Sequence, residues 1–256
     1  MNRLVISFSI ISAVILAFLA YPLLALFISL NANSLAYVIS SSEVIKALTL
    51  SLEAATLSTL ILIMLGVPLA YLIARYDFKG KALVEALVDL PLVIPHAVVG
   101  IMLLVAFGPH SDIGSILRSL NIVLEDSFWA IVAVFTFISA PLLIDSVKDG
   151  IALLDPYMEG VARCMGAGPF KAFFTITLPL TLRSLVTGAL LSWARAMSEV
   201  GALLIIAYYP KTVNVLIVEW FTTYGLERTV ALTSVLLSIS ITVFVVLRVL
   251  LKWGRR

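Results

Sequence analysis

The stretch Asp155–Pro179, DPYMEGVARCMGAGPFKAFFTITLP, is charged and broken by glycines, while the chain on either side of it is long and apolar. Asp155 followed by Pro156 has the form of a helix N-cap with proline at the first helical position, and Gly166 or Gly168 can stop that helix after about ten residues. Met158, Val161, Ala162 and Met165 recur at i, i+3, i+4 and i+7, so they share one apolar face of this short helix. Pro169 then starts a second short helix that carries Phe170, Phe173 and Phe174. Two uses fit such a hairpin. It can lie on lipid with Lys171 and the phenylalanines as anchors, or it can press its apolar face into a partner.

The surrounding composition decides the fold class. Hydrophobic residues make up 62% of the 256-residue chain and charged residues 12%, with a mean hydropathy of +1.13, which excludes a soluble domain and implies a membrane protein. Runs free of Asp, Glu, Lys and Arg extend over Leu4–Leu30, Ala54–Ala74, Leu90–Phe107, Ser127–Ile144 and Thr229–Leu247. Each approaches or exceeds the roughly 20 residues that cross a bilayer core. A further run near Ser184–Tyr209 is interrupted by Arg195 and Glu199. The period-2 alternation of a membrane barrel is absent, so the backbone must satisfy itself within helices.

The expectation is therefore an all-α membrane protein, residues 1–256 forming one membrane domain. Six transmembrane helices are expected, with spans at about 4–30, 48–74, 83–107, 127–147, 180–209 and 229–251 and a polar loop at 148–179. The first apolar run exceeds the roughly 7–15 residues of a signal-peptide core, so a retained helix is expected there. Cys164 is the lone cysteine and no Cys/His spacing suggests a metal. No basic tract suits nucleic acid, and no GxxxxGK[ST] loop is present to hold ATP. The chain also shows no internal repeat of the kind many secondary transporters carry.

Lys and Arg set the orientation. With the N-terminus and C-terminus both cytoplasmic, cytoplasmic segments hold Arg3, Arg75, Lys79, Lys81, Lys148, Arg163, Lys171, Arg183, Arg248, Lys252, Arg255 and Arg256, twelve of the seventeen basic residues. Lys46, Arg118, Lys211 and Arg228 fall on the other side, and Arg195 within a span. The positive-inside rule favours this arrangement, which places the 155–179 loop in the cytoplasm.

Ile176, Leu178 and Pro179 stand at fixed distances after Gly166, and Gly166 stands four residues after Ala162. This spacing resembles the EAA loop of the membrane subunits of binding-protein-dependent ABC importers, where a cytoplasmic coupling helix fits a groove on a separate ATPase. The family's Glu-Ala-Ala falls here on Gly160, Val161 and Ala162, with an acid at the neighbouring Glu159. The resemblance implies an ATPase-coupling role for Glu159, Gly160, Val161, Ala162, Met165, Gly166, Ile176, Leu178 and Pro179.

A second resemblance lies in Ser192–Ala202, SWARAMSEVGA, which is similar to the aromatic-Ala-Arg-Ala-x-x-Glu-aromatic-Gly-Ala signature of the oxyanion branch of these permeases. Val200 replaces the second aromatic and Ser198 the usual glycine. Arg195 and Glu199 are four apart, so they share a helix face and can pair. The pair either helps helices pack or, with Gly201, lines or gates a path. A third stretch, Asp89–Gly100, DLPLVIPHAVVG, resembles the Leu-Pro-Leu-Val-x-Pro segment of the same branch. Pro91 and Pro95 remove ladder hydrogen bonds and kink the helix, as a static bend or as part of a gate. His96 reads as a hydrogen-bonded packing residue, His110 as a turn residue, and Glu53, Asp145 and Lys148 as interfacial or inter-helix contacts. Gly188, Ala189 and Ser192 read as close helix packing. No nucleophile motif such as GxSxG accompanies His96, which speaks against an intramembrane enzyme and leaves no catalytic residue to nominate.

Together the three stretches resemble the molybdate/tungstate permeases of the ABC importer family in a six-span form, with sulfate permeases close behind. The resemblance implies a type I importer fold with a cytoplasmic coupling helix between helices 4 and 5, and two copies forming the path through membrane lipid. An extracytoplasmic oxyanion-binding protein would deliver substrate, and ATP-binding cassette subunits would hold the ATP and magnesium, with no cofactor in this chain. A secondary transporter working without ATP is the rival class. For a dianion, entering a cytoplasm held at −100 mV costs about 4.6 kcal/mol, which gives a physical reason for ATP coupling.

Overall fold

Along the chain the computed structural model, which describes residues 3–120 and 123–253, forms helices α1 (Arg3–Ile28), α2 (Ala32–Ser40), α3 (Ser42–Arg75), α4 (Lys81–Val93), α5 (His96–Phe107), α6 (Asp112–Ser119) and α7 (Phe128–Ala152). These are followed by α8 (Tyr157–Cys164), α9 (Pro169–Ala172), a π-helical turn (Phe173–Thr177), α10 (Leu178–Met197), α11 (Leu203–Ile206), α12 (Val213–Tyr224) and α13 (Leu226–Trp253). Arg255 and Arg256 lie outside the described residues, as do the side chains of Arg3, Arg248 and Lys252.

Local chemistry fixes the helix starts. The Asn31, Ser41, Ser111, Ser127 and Thr212 side chains accept N–H groups from the first turns of α2, α3, α6, α7 and α12, satisfying donors that a helix N-terminus leaves free. Among the described residues five segments have the length and apolar character of membrane spans, Leu4–Ile28, α3, α7, Pro169–Met197 and Leu226–Val246, and the bent pair α4 and α5 would make a sixth if counted as one.

The centre of the fold is α3, α7 and α10. Gly66 of α3 lies against Leu143 and Ile144 of α7, and Arg75 at the end of α3 donates to the Leu154 carbonyl just past α7 at 2.9 Å. These two helices therefore run parallel. In the opposite sense α10 lies along α7, where Ser146 Oγ donates to the Ser184 carbonyl at 2.8 Å and Ser192 Oγ to the Ser139 carbonyl at 2.9 Å. The close approach uses small residues, since a Cβ on Gly188 would stand 2.9 Å from the Ser146 Cβ. Ser192 and Gly188 are thus packing residues, as their size suggests. The buried core follows these contacts, with Phe135, Ile138 and Leu143 of α7 among its largest side chains.

Three of the expected spans differ from the structure. The 83–107 segment is two helices, α4 and α5, at 120° to each other, rather than one kinked helix. Ile94 precedes Pro95 and is pushed to an extended conformation, φ −73° and ψ 130°, because the proline ring disfavours α geometry in the residue before it. The expected 180–209 helix ends at Met197 and resumes as the single turn α11. Its start also shifts, because α9 and the π-helical turn lead into α10 without a gap, so the span begins at Pro169. The second span begins at Ser42 rather than at 48.

Candidate functional site

The 155–179 loop sits where the ends of α3 and α7 meet the start of α10. Asp155 Oδ1 accepts the Tyr157 N–H at 2.9 Å and α8 begins there, one residue later than proline at the first helical position would give. The helix stops at Gly166, whose φ of +89° lies in the left-handed region that a side chain disfavours. Met158, Val161 and Met165 are exposed, Met165 by 84%, and Ala162 is half-buried. The predicted apolar face therefore points outward from the bundle.

Glu159 faces the other way. Its carboxylate accepts the Tyr71 hydroxyl at 2.7 Å, the Thr177 hydroxyl at 2.7 Å and Arg75 Nε at 3.1 Å, and its side chain is only 14% exposed. Burial alone would raise the pKa of this carboxyl, but the hydrogen bonds from Thr177 and Tyr71 and the charge and hydrogen bond of Arg75 hold it below the ordinary value. Tyr71 also meets Phe173 edge-on at 5.1 Å. Gly160 and Ile176 are half-buried, Leu178 packs toward the α3–α7 core, and Pro179 is exposed.

A second cluster forms where the two helix breaks meet. Pro91 is buried inside α4, and Pro95 is the residue from which α5 restarts. At the other break Glu199 is 0% exposed. Its Oε2 lies 3.3 Å from Arg195 Nη1 and 2.9 Å from His96 Nδ1, and its Oε1 accepts the Ala202 N–H at 2.9 Å. Arg195 Nη2 stands 2.7 Å from His96 Nε2. A guanidinium only donates and a carboxylate only accepts, so the imidazole satisfies both with its proton on Nδ1 and its lone pair on Nε2. Asn214 Nδ2 donates to the Met197 carbonyl at 2.6 Å and the Glu199 carbonyl at 3.1 Å, holding the turn that carries the acid.

Gly201 belongs to the same contact. A Cβ there would stand 2.9 Å from the His96 Cβ, and one on Gly100 would stand 2.6 Å from the Ala202 carbonyl oxygen. Two glycines thus let α5 and the 199–206 segment meet closely. Next to this cluster, a cavity of about 530 Å³ opens between α10 and α13, lined in part by Trp193, Met197, Ser198 and Asn214.

The structure brings Arg195, Glu199 and Gly201 together, with Pro95 one residue away. His96 is hydrogen-bonded, as its sequence reading has it, but the spacing of pairs four apart missed its partners, Arg195 and Glu199. Its signal was its place immediately after the second proline, where a helix that breaks must expose or pair its first side chain. Asn214, Tyr71, Arg75 and Thr177 were missed as well. Nothing local marks an asparagine that caps a distant turn, and Arg75 counted only as a topology charge.

The described residues thus form a helical bundle with membrane-length apolar helices, an outward-facing amphipathic helix at one end and an ion cluster around the buried Glu199 at paired helix breaks. The chain belongs to the binding-protein-dependent transport system inner membrane component family, which matches residues 63–255. It is 44% identical over 256 residues to the molybdate/tungstate transport system permease protein WtpB of Pyrococcus furiosus, covering 99% of this chain and 98% of that protein. The molybdenum transport system permease protein ModB of Escherichia coli is 38% identical over 158 residues, covering 61% of this chain and 69% of that one. In fold, the chain is similar to a bacterial ABC transporter involved in the import of the acidic polysaccharide alginate, with a TM-score of 0.75 at 15% identity over 97% of this chain and 95% of the other. The MetNI methionine ABC transporter in an inward-facing form gives 0.62 at 16% identity over 81% and 92%.

Proposed function

We propose that this chain is the membrane-spanning permease subunit of an ATP-driven importer that carries molybdate or tungstate into the cytoplasm. The observation that carries this reading is the 44% identity, over almost the whole of both chains, to a permease named for those two oxyanions. The chain is a transport subunit and not an enzyme. ATP is hydrolysed by a partner ABC subunit, and a separate binding protein supplies the substrate. Two copies enclose the path, with both termini in the cytoplasm, an orientation supported by the excess of Lys and Arg around the 155–179 loop.

In this reading the exposed Met158, Val161 and Met165 face, with Ala162, Gly166 and the Ile176–Pro179 end of the loop, receives the ATPase. Pro91, Pro95, Arg195, Glu199 and Gly201 border or gate the path. Arg195 is largely neutralised by Glu199 within one turn, so the membrane path offers a passing dianion little affinity, and selection falls to the binding protein. Binding and hydrolysis of ATP then bias an exchange between outward-open and inward-open states.

Reconstitution tests this. With its ATPase and a molybdate- or tungstate-loaded binding protein, the chain should accumulate the oxyanion in vesicles only while ATP is hydrolysed. Uptake by the chain alone under an ion gradient would overturn the ABC reading. ATP-dependent uptake of sulfate with molybdate and tungstate ignored would discard the substrate.

A further inference from the structure

The acid beside the coupling face is turned away from it. Glu159 is on the outermost helix of the cytoplasmic loop, yet its carboxylate is nearly closed off by groups from two membrane helices: Tyr71 and Arg75 of α3, and Thr177 at the end of the π-helical turn that leads into α10. Arg75 is itself tied to the Leu154 carbonyl at the end of α7, and the Thr177 carbonyl accepts the Thr181 hydroxyl one turn into α10 at 2.8 Å. One side chain therefore joins α8 directly to α3 and to the residue before α10, and through Arg75 to the chain just past α7.

We propose that Glu159 is a positioning residue, a clasp that makes the coupling helix and the cytoplasmic ends of α3 and α10 move as one body, and not a contact to the ATPase. The inference rests on the reading of 155–179 as the ATPase-coupling loop and adds how motion leaves it. Charge-assisted hydrogen bonds to a poorly solvated carboxylate are the strong class of such bonds, whereas the apolar contacts of α8 with the bundle are few, since its buried residues number none. Without the clasp, α8 would be attached mainly by its flanking chain, and a displacement at its outer face would be absorbed by bending there. The π-helical turn adds a reason. A π-turn carries one extra residue in its ring, and such turns within helices occur frequently at functional sites. Thr177 pins this one at its junction with α10, so movement of α8 is delivered to α10 itself.

The test uses the full-length chain reconstituted in liposomes with its ATPase and loaded binding protein. Three variants are compared: Glu159→Gln, Tyr71→Phe, and Val161→Asp on the outer face. The readouts are ATPase retained on purification and oxyanion taken up per ATP hydrolysed. Expected is full ATPase retention in Glu159→Gln and Tyr71→Phe with uptake per ATP lowered about tenfold, the scale of one lost hydrogen bond to a charged group, while Val161→Asp sheds the ATPase. Tyr71 is on a membrane helix, so a phenotype it shares with Glu159 cannot arise from partner contact. If Glu159→Gln sheds ATPase while Tyr71→Phe is unaffected, the clasp is wrong and Glu159 is a partner contact. Unchanged uptake per ATP in both clasp variants, including in whatever folded fraction survives, also overturns it. Val161→Asp with normal ATPase retention and uptake would instead sink the coupling-loop reading, whatever the clasp variants do.

Discussion

Neutralising the ion pair at the helix breaks gives the sharpest quantitative test of the buried cluster. In Arg195→Gln, the fully buried Glu199 keeps only His96 and the Ala202 N–H as partners, and an uncompensated buried charge of this kind costs about 3–5 kcal/mol. Glu199→Gln is milder. Arg195 is 20% exposed and retains His96, so the loss is closer to that of hydrogen bonds to a charge, about 2 kcal/mol. The double variant removes both charges and leaves two amides that can pair. Replacing a buried ion pair as a unit is often nearly neutral, so a cost of no more than about 2 kcal/mol is expected. The cycle then yields a coupling energy of at least about 3 kcal/mol, measurable by reversible unfolding in mixed micelles. Additivity of the two single changes within about 0.5 kcal/mol would refute the argument, because that is the behaviour of residues that do not interact. Uptake per ATP in the folded single variants separates packing from gating: a gate changes it, and unchanged coupling removes the pair from the mechanism.

Other outcomes follow from the same geometry. Gly201→Ala forces a methyl against the His96 Cβ at 2.9 Å and should lower stability by about 1–3 kcal/mol, with a drop in Tm that Gly168→Ala, where no atom lies within 4 Å, does not share. His96→Ala should cost stability while leaving ATPase retention intact, because the side chain reaches only the inner cluster. Gly166→Glu should leave membrane insertion unchanged and abolish uptake, since it places a charged side chain at the left-handed end of α8; co-purification with full ATPase and normal uptake would contradict it. The Glu159 clasp should be acid-sensitive. The folded-state pKa lies below the unfolded one, so its contribution is complete above the ordinary carboxylate range and is lost as pH falls through the depressed pKa. Hydrogen-exchange protection of residues 155–165, taken relative to the intrinsic amide rate at each pH, should therefore fall on acidification in the wild type and show a flatter profile in Glu159→Gln.

Much of this architecture was legible in the sequence because a membrane restricts the choices. Charge-free runs near 20 residues long must be helices, and a glycine-broken amphipathic stretch between them must lie outside the lipid. The same hydropathy could not show where helices stop inside an apolar run. The residues 198–202 and 94–95 are as apolar as their neighbours apart from Glu199, and there the breaks depend on contacts between segments distant in sequence: Asn214 capping the 197–199 carbonyls, and Gly100 and Gly201 allowing two backbones to meet. Pro91 and Pro95 announced a bend, but its size was set by tertiary packing. Glu159 shows the same limit on a smaller scale. Its helix was readable from spacing, whereas the three partners that turn it inward come from positions 71, 75 and 177.

The two clusters lie at opposite ends of one element. Thr177, which the clasp grips, is the residue before α10, and Arg195, which anchors the inner cluster, is in its last turn. A helix of this length spans about 30 Å, and its i to i−4 hydrogen bonds make it stiff between those points. Along that length α10 is also fixed to α7 through Ser146 and Ser192, and by the close approach at Gly188. Movement imposed at Thr177 therefore has two outlets: α10 shifts with α7 and carries Arg195 with it, or it slides against α7 and breaks those serine bonds. Two hydroxyl-to-carbonyl bonds and a contact at Gly188 too close to admit a methyl group favour the first. In that case the motion reaches the Arg195–His96–Glu199 contacts, which join the last turn of α10 to His96 at the start of α5, just past the break at Pro95.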